Sequence, residues 1–158
     1  MTDSFRPAGY TSLTPFLCVS DGNAAIDFYT DVFGATLISK MDTPSGGVAH
    51  AELEFEAGRL QLSDALPDFG LVTPTGGGQS DHSTALYCPD VDAVVERAEQ
   101  RGATIREPAS TFVTGDRFAS ILDPFGHRWT VMTRVEDVSP EEAERRLAAW
   151  GAESLSSS

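Results

Sequence analysis

Ile121-Leu122-Asp123-Pro124-Phe125-Gly126-His127-Arg128-Trp129-Thr130-Val131-Met132 is the stretch whose reading decides the fold. Asp-Pro opens a turn because the proline ring presets φ, Phe125-Gly126 lets the chain reverse, and alternating apolar residues flank both sides. The outgoing strand puts Trp129 and Val131 on one face and Arg128, Thr130 and Met132 on the other. The hairpin closes a run of elements that the chain has already used once.

The first use begins with a strand over 13–19. Ser20-Asp21-Gly22-Asn23 is rich in helix N-cap residues, and Ala25, Ile26, Tyr29, Val32 and Phe33 make a helical stripe over 24–33 that Gly34 ends. Strands over 35–41, 48–56 and 58–63 follow, separated by Thr43-Pro44-Ser45-Gly46-Gly47 and a tight turn at Ala57-Gly58. The second use has a strand over 84–88 and a helix entered at Pro89-Asp90. Val91, Val94, Val95 and Ala98 form its stripe, and Gly102 closes it. Strands over 103–106, 117–123 and 127–133 complete it, with a turn over 108–110. Gly34-Ala35-Thr36-Leu37-Ile38 and Gly102-Ala103-Thr104-Ile105-Arg106 stand at an offset of 68 (102 − 34), and Gly58 and Gly126 keep that offset (126 − 58). Recurrence of the whole element order around these residues marks a duplicated βαβββ module.

The prediction is therefore an α+β protein of two βαβββ modules, 13–64 and 83–135, forming a cupped, mostly antiparallel sheet. A loose N-terminal arm (1–12) precedes them. The connection over 65–82 holds Pro67, Pro74 and Gly76-Gly77-Gly78. It suits a Gly/Pro-rich linker better than a phosphate cradle, since no Gly-Lys-Ser/Thr follows and no helix begins there. Ser139-Pro140-Glu141-Glu142 is a capping box with proline at N1. Ala143, Leu147 and Trp150 then recur at helical spacing, giving a C-terminal helix over 136–150 that packs Trp150 onto the body or a partner subunit. Residues 151–158 are expected to be a disordered tail.

With 158 residues, 41% of them apolar and 22% charged, the chain is long enough to bury a sizeable core. Its net charge of −13, from 24 acidic against 11 Lys and Arg residues, excludes a general basic nucleic-acid surface. That acidity serves solubility, and it would also attract a cationic small molecule. No apolar run is long enough to span a membrane and no secretory signal is visible, so the expected location is cytoplasmic. Cys18 and Cys88 lie in apolar strands and are expected as reduced, buried thiols.

The half-buried strands sort their side chains. Ala51, Leu53 and Phe55 alternate with His50, Glu52 and Glu54, while Leu60 and Leu62 alternate with Arg59, Gln61 and Ser63. The apolar set belongs beneath the helices, leaving a polar set that either meets water or lines a cavity.

Several stretches carry a resemblance. They are Val19-Ser20-Asp21 with Phe28-Tyr29, Phe33-Gly34-Ala35, Asp90-Val91-Asp92-Ala93 and Asp123-Pro124-Phe125-Gly126-His127. With the βαβββ duplication, they resemble the vicinal oxygen chelate superfamily, also called the glyoxalase/bleomycin-resistance/dioxygenase family, over about residues 13–148. Gly115-Asp116-Arg117, the 123–129 stretch through Arg128-Trp129, and Glu136-Asp137-Val138-Ser139-Pro140-Glu141-Glu142 with Arg145-Arg146 look like its PhnB-like branch. The resemblance implies a homodimer, since the superfamily usually pairs modules across chains. The fold hosts isomerases, lyases, dioxygenases, thiol transferases and drug-binding proteins, so it does not fix an activity.

Metal-using relatives hold one divalent ion with His, Gln or Glu from four strands, two per module. Those places fall on Thr14, Gln61, Ser83 and Thr130, of which only Gln61 keeps a side chain of the kind the family uses. One neutral amide is far short of a stable divalent site. His82 is one residue out of register and would need a bulge to turn inward, whereas His50 and Glu52 share the polar face and would make an unconventional pair with Gln61.

No metal or other cofactor is therefore expected, with His50, Glu52, Gln61 and His82 as the candidates should a divalent ion bind. The expected cavity is lined by Thr14, Phe16, His50, Glu52, Arg59, Gln61, Ser83, Tyr87, Phe118, Arg128, Thr130 and Met132. His127 would serve as a general base or hydrogen-bond local backbone. Arg117 would bind an anion or pair with Asp116 or another carboxylate. No residue is assigned a catalytic role, because Ser83 and Thr130 have no base at strand-neighbour distance. The leading expectation is a protein that binds a small organic ligand, of which a cationic one would suit the acidity, without a conventional metal site, in drug sequestration or resistance. The alternatives are a metal-dependent lyase, isomerase or dioxygenase with a non-standard ligand set, and a protein-interaction module.

Overall fold

The computed structural model describes residues 5–155. The first module is β1 (Phe16–Val19), α1 (Gly22–Phe33), β2 (Thr36–Asp42), β3 (Val48–Glu54) and β4 (Arg59–Asp64). The second is β5 (Thr84–Tyr87), α2 (Val91–Gln100), β6 (Thr104–Thr111), β7 (Asp116–Leu122) and β8 (Arg128–Arg134), followed by α3 (Pro140–Leu155). The α+β architecture of two repeated modules is the expected one. The strands form two four-stranded mixed sheets, ordered β1-β4-β3-β2 and β5-β8-β7-β6. In each, the first strand runs parallel to the last and the other pairings are antiparallel.

The modules repeat in detail. Asp21 Oδ1 accepts from Ala24 N at 2.9 Å, and Asp90 Oδ1 from Ala93 N at 3.1 Å, so each helix starts on an aspartate cap. The first helical N–H then reaches back to the module's last strand. Gly22 N donates to Asp64 Oδ1 at 2.6 Å, and Val91 N donates to Thr133 Oγ1 at 2.9 Å. Gly22 is required by this close approach, since a Cβ there would lie 2.5 Å from that of Val48.

The apolar strand residues pack beneath the helices as alternation demands. Leu53, Leu60 and Leu62 meet α1, Ala119, Ile121 and Val131 meet α2, and the buried residues form one core across both modules. The seam between modules is aromatic. Tyr29 stacks on Phe33 at 5.7 Å, Phe33 lies 4.7 Å from Trp129, and Phe28 meets Phe125 edge-on at 6.1 Å. Asp31 and Arg101 pair at 3.3 Å between the helices.

The hairpin after β7 closes the seam. Asp123, 3% exposed, accepts from Tyr29 Oη at 2.6 Å and Trp129 Nε1 at 2.9 Å on one oxygen. Its other oxygen accepts from Phe125 N at 2.9 Å and His127 N at 2.8 Å. A buried carboxylate is tolerated because its lone pairs are met. Burial, and then the Asp123 charge, push the Tyr29 hydroxyl well above its ordinary pKa, so it stays a donor.

Four boundaries differ from the sequence reading. The described part of the arm is not loose, because Tyr10 is fixed on the first sheet; residues 1–4 lie outside the described residues. The linker carries a 3₁₀ turn at Pro67–Phe69, and Arg106 Nη2 donates to Gly78 O at 3.0 Å. The expected turn at 108–110 is strand, since β6 is an edge that absorbs Pro108 through irregular pairing between Glu107 and Ser110. Finally, the C-terminal helix starts at Pro140 and not at 136, and it does not stop at 150. It continues through Gly151 to Leu155, so 151–155 are helix and not disordered tail, while 156–158 lie outside the described residues. Its cap is one-sided: Glu142 N donates to Ser139 Oγ at 3.3 Å, but the Glu142 carboxylate is taken by Arg145 and Arg146. Trp150 packs edge-on against Phe112 at 5.2 Å.

Candidate functional site

Each sheet has one helix-covered face and one face left open by its own helix. On the first sheet, register puts Phe16 beside Gln61, Gln61 beside Glu52, and Arg59 beside Glu54. These side chains make a charged network. Arg59 Nη1 lies 3.3 Å from Glu52 Oε2, and Arg59 Nη2 lies 3.2 Å from Glu54 Oε1. His50 Nε2 is 3.6 Å from Glu52 Oε1, and its ring lies 5.8 Å from that of Phe16. Hydrogen bonding from Tyr10 first, then from His50, and the Arg59 charge hold the Glu52 carboxyl below the usual range, so it is an ionised acceptor at neutral pH.

The arm closes over this face. Arg59 Cζ sits 4.7 Å from the Tyr10 ring centroid, and Gln61 Nε2 donates to Tyr10 Oη at 3.3 Å. Between arm and sheet lies a cleft of about 590 Å³ that includes Tyr10, Thr14, Glu52 and Gln61. A second cleft, of about 510 Å³, runs between the modules and is lined by Leu13, Phe16, Arg59, Ser83, Ala85 and Trp129.

On the second sheet, Thr130 pairs with Ala85 and Ser120, and Met132 with Tyr87 and Phe118, so these residues share one face. Ser83 Oγ and Thr130 Oγ1 are 2.8 Å apart. Arg128 Nε donates to Ser120 Oγ at 2.9 Å, and Arg128 Nη2 lies 3.8 Å from Glu107. Tyr87 Oη donates to Asp116 Oδ2 at 3.3 Å, and Phe118 meets Phe112 at 6.2 Å.

The expected cavity residues therefore gather in two groups. Thr14, Phe16, His50, Glu52, Arg59 and Gln61 belong to the first face, and Ser83, Tyr87, Phe118, Arg128, Thr130 and Met132 to the second. Phe16, Arg59 and Ser83 meet across the cleft between modules. Of the metal candidates, His50, Glu52 and Gln61 are neighbours, whereas His82 sits in the linker with Nδ1 2.6 Å from Asp81 Oδ1. Among the described residues, no three His, Cys, Asp or Glu side chains gather as a metal site.

His127 is buried with Nε2 2.8 Å from the Cys18 carbonyl oxygen, so its partner is backbone of the other module and not of its own turn. Arg117 makes a two-pronged pair with Asp92 at 2.7 Å, which uses the charge that would have met an anion. Cys18 and Cys88 are both free thiols, and burial pushes the Cys18 pKa up. The sequence reading missed Tyr10. One aromatic residue in a polar arm has no periodic neighbour to show which surface it covers.

Comparison with known proteins agrees with this architecture. The chain is 33% identical over 143 residues to the uncharacterized protein Mb0911c of Mycobacterium bovis, covering 89% of this chain and 94% of that protein. It is 30% identical over 118 residues to the lactoylglutathione lyase GLX1 of Arabidopsis thaliana, covering 73% of this chain but 41% of that longer protein. The fold superposes on the PhnB protein of Bacillus cereus with a TM-score of 0.62 at 19% identity, covering 78% of this chain and 99% of that one. The family model for the Glyoxalase/Bleomycin resistance protein/Dioxygenase superfamily matches residues 10–131, both modules included, and the chain belongs to that superfamily.

Proposed function

We propose that the protein binds a small organic ligand on the open face of the first module, through side-chain hydrogen bonds and charge and not through a conventional divalent ion. The observation that carries this reading is the chemistry at the four implied ligand positions. Thr14, Ser83 and Thr130 are neutral hydroxyls, two of them hydrogen-bonded to each other at 2.8 Å, and Gln61 is engaged with Tyr10. A stable divalent site needs several anionic or imidazole donors, which one amide and three hydroxyls do not supply. The network of Glu52, Glu54, Arg59 and Gln61 beside an accessible cleft supplies the convergent polar groups that orient an organic guest.

Sequestration of a drug-like compound, and so resistance to it, is the role this reading gives the protein. A calorimetric and thermal-shift screen over cationic and anionic natural products tests it. A ligand that raises Tm and perturbs Glu52 and Gln61 supports the reading. Stabilisation by Zn²⁺, Ni²⁺, Mn²⁺ or Fe²⁺ in the absence of any organic ligand overturns it.

A metal-dependent lyase or isomerase is the second reading, favoured by the identity to the Arabidopsis lactoylglutathione lyase and by the 3.6 Å approach of His50 to Glu52. Stoichiometric metal in protein purified without chelator, lost in His50→Ala, would establish it.

Three narrower assignments accompany the main one. Gly115-Asp116-Arg117 and the Glu136–Arg146 region support placement in the PhnB-like branch. A homodimer is supported by the exposed Leu37, Ile38 and Met41 on edge strand β2, and sedimentation equilibrium tests it. Two free thiols suit a reducing cytoplasm, and no helix among the described residues is long and apolar enough to cross a membrane. Cell fractionation checks that location.

A further inference from the structure

The first module's open face already holds a guest, which is part of the same chain. The Tyr10 ring lies over the Arg59 guanidinium at 4.7 Å. Its hydroxyl accepts from Gln61 Nε2 at 3.3 Å, and Tyr10, Glu52 and Gln61 line the same cleft. Two groups of the face thus find two different features of one phenol, a π face for the cation and a lone pair for the amide, and the Glu52 carboxylate beside them can accept a phenol's proton in a hydrogen bond.

The arm that delivers this ring is exposed over much of its described length. Phe5 is 97% exposed, and Gly9, Thr11 and Ser12 are exposed as well. The arm's turn is closed by Tyr10 N donating to Pro7 O at 3.4 Å and by Arg6 Nη1 donating to Tyr10 O. Gly9 passes close over Arg59 and Glu54, and Thr11 lies beside Gly58. The phenol itself makes specific polar contact between arm and sheet, through Gln61.

We propose that Arg59, Gln61 and Glu52 form a binding subsite for phenols, that Tyr10 fills it in the free protein, and that a phenolic ligand enters by displacing the arm. The proposal rests on the reading of this face as the ligand site and adds the ligand's chemical class. An aliphatic alcohol lacks the π face, a plain arene lacks the hydroxyl, and a carboxylic acid would bring a further negative charge against those of Glu52 and Glu54. The arm competes as an intramolecular ligand, so it sets a threshold that a free phenol must exceed.

The test is rescue by p-cresol, the tyrosine side chain without its backbone, followed by NMR titration of the full-length chain. Tyr10→Ala is expected to bind p-cresol about tenfold more tightly than the wild type, because the tethered competitor is gone. Shifts should centre on the Gln61 side-chain amide and the Arg59 Nε–H. Toluene should bind Tyr10→Ala about fivefold more weakly than p-cresol, and Gln61→Leu in the same background should lower p-cresol affinity by a similar factor, as one hydrogen bond is lost. Tyr10→Phe keeps the ring but not the hydroxyl, and should fall between wild type and Tyr10→Ala. Unchanged Tm in both variants would show that the sheet is intact.

Equal p-cresol affinity in wild type and Tyr10→Ala, or toluene binding as well as p-cresol, overturns the proposal. So do shifts that centre away from Arg59, Gln61 and Glu52. If a screened ligand binds at Glu52 and Gln61 while p-cresol fails to rescue, the phenol assignment falls and the ligand face stands. If neither binds, both fall.

Discussion

The last hairpin of each module makes the same reversal with a different number of residues. In the first, Glu54 pairs with Arg59 across a loop of 55–58, closed by Phe55 N donating to Gly58 O at 3.0 Å. In the second, Leu122 pairs with Arg128 across 123–127, closed by Asp123 N donating to His127 O at 2.9 Å. The extra residue shows in the repeat. The offset of 68 between Gly58 and Gly126 becomes 69 (130 − 61) between Gln61 and Thr130, which hold corresponding places beside β1 and β5. The first loop is a solvent-facing turn. The longer one buries Asp123 and His127 and reaches into the other module through Tyr29 and the Cys18 carbonyl. One added residue separates a turn from a clamp.

The largest way to break that contrast is Asp123→Ala. It strands the Tyr29 hydroxyl and the Trp129 N–H in a dry core, so urea unfolding should show a loss of about 3 kcal/mol or more. Glu56→Ala in the first loop should stay within about 0.5 kcal/mol, as expected of an exposed turn residue. His127→Ala removes one bond between modules and is expected to cost about 1–2 kcal/mol in the same measurement.

The modules differ also in what each carries at its open face, and here the expected effects are smaller. The first has the arm and its Tyr10. Glu52 has a folded pKa below its unfolded one, so its contribution to stability is present above the unfolded value and is lost as pH falls through the folded value. Tyr10→Phe removes the main cause of the depression. The Glu52 titration followed by carbon NMR should therefore move up toward the ordinary carboxylate range and narrow that window.

The second module has α3, tied down by Arg146 to Glu136 at 2.8 Å and to the Val113 carbonyl at 3.3 Å. Hydrogen bonds from Arg145 and Arg146 bring Glu142 down to about 2. Its contribution is thus complete above the usual glutamate range and fades as pH drops toward 2. A small loss of helical circular dichroism in that window should be absent in Glu142→Gln. Screening limits the effect, because the group is exposed.

Much of this was legible in the sequence. The 68-residue echo predicted both modules, and strand alternation predicted that Ala51, Leu53, Leu60 and Leu62 of β3 and β4 lie beneath the helices. Three features were not. Pro108 looked like a turn, yet an edge strand accommodates a residue without an N–H. Residues 151–155 were expected in a disordered tail, yet the helix runs through Gly151 to Leu155. Tyr10 looked like part of a loose arm, because nothing local says that an isolated aromatic residue will find an arginine on a strand some fifty positions later.

The sequence by itself determined the two modules, their helix-covered faces and the absence of anionic or imidazole side chains at Thr14, Ser83 and Thr130. Periodicity and residue chemistry are local, and a single chain states them outright. Only the tertiary structure decided what those elements meet: Asp123 with Tyr29, His127 with the Cys18 carbonyl, and Tyr10 with Arg59, Gln61 and Glu52. Such contacts depend on how two modules and an arm pack against one another. Many pairings of hydrogen-bonding groups are compatible with the same local pattern, and only burial selects among them.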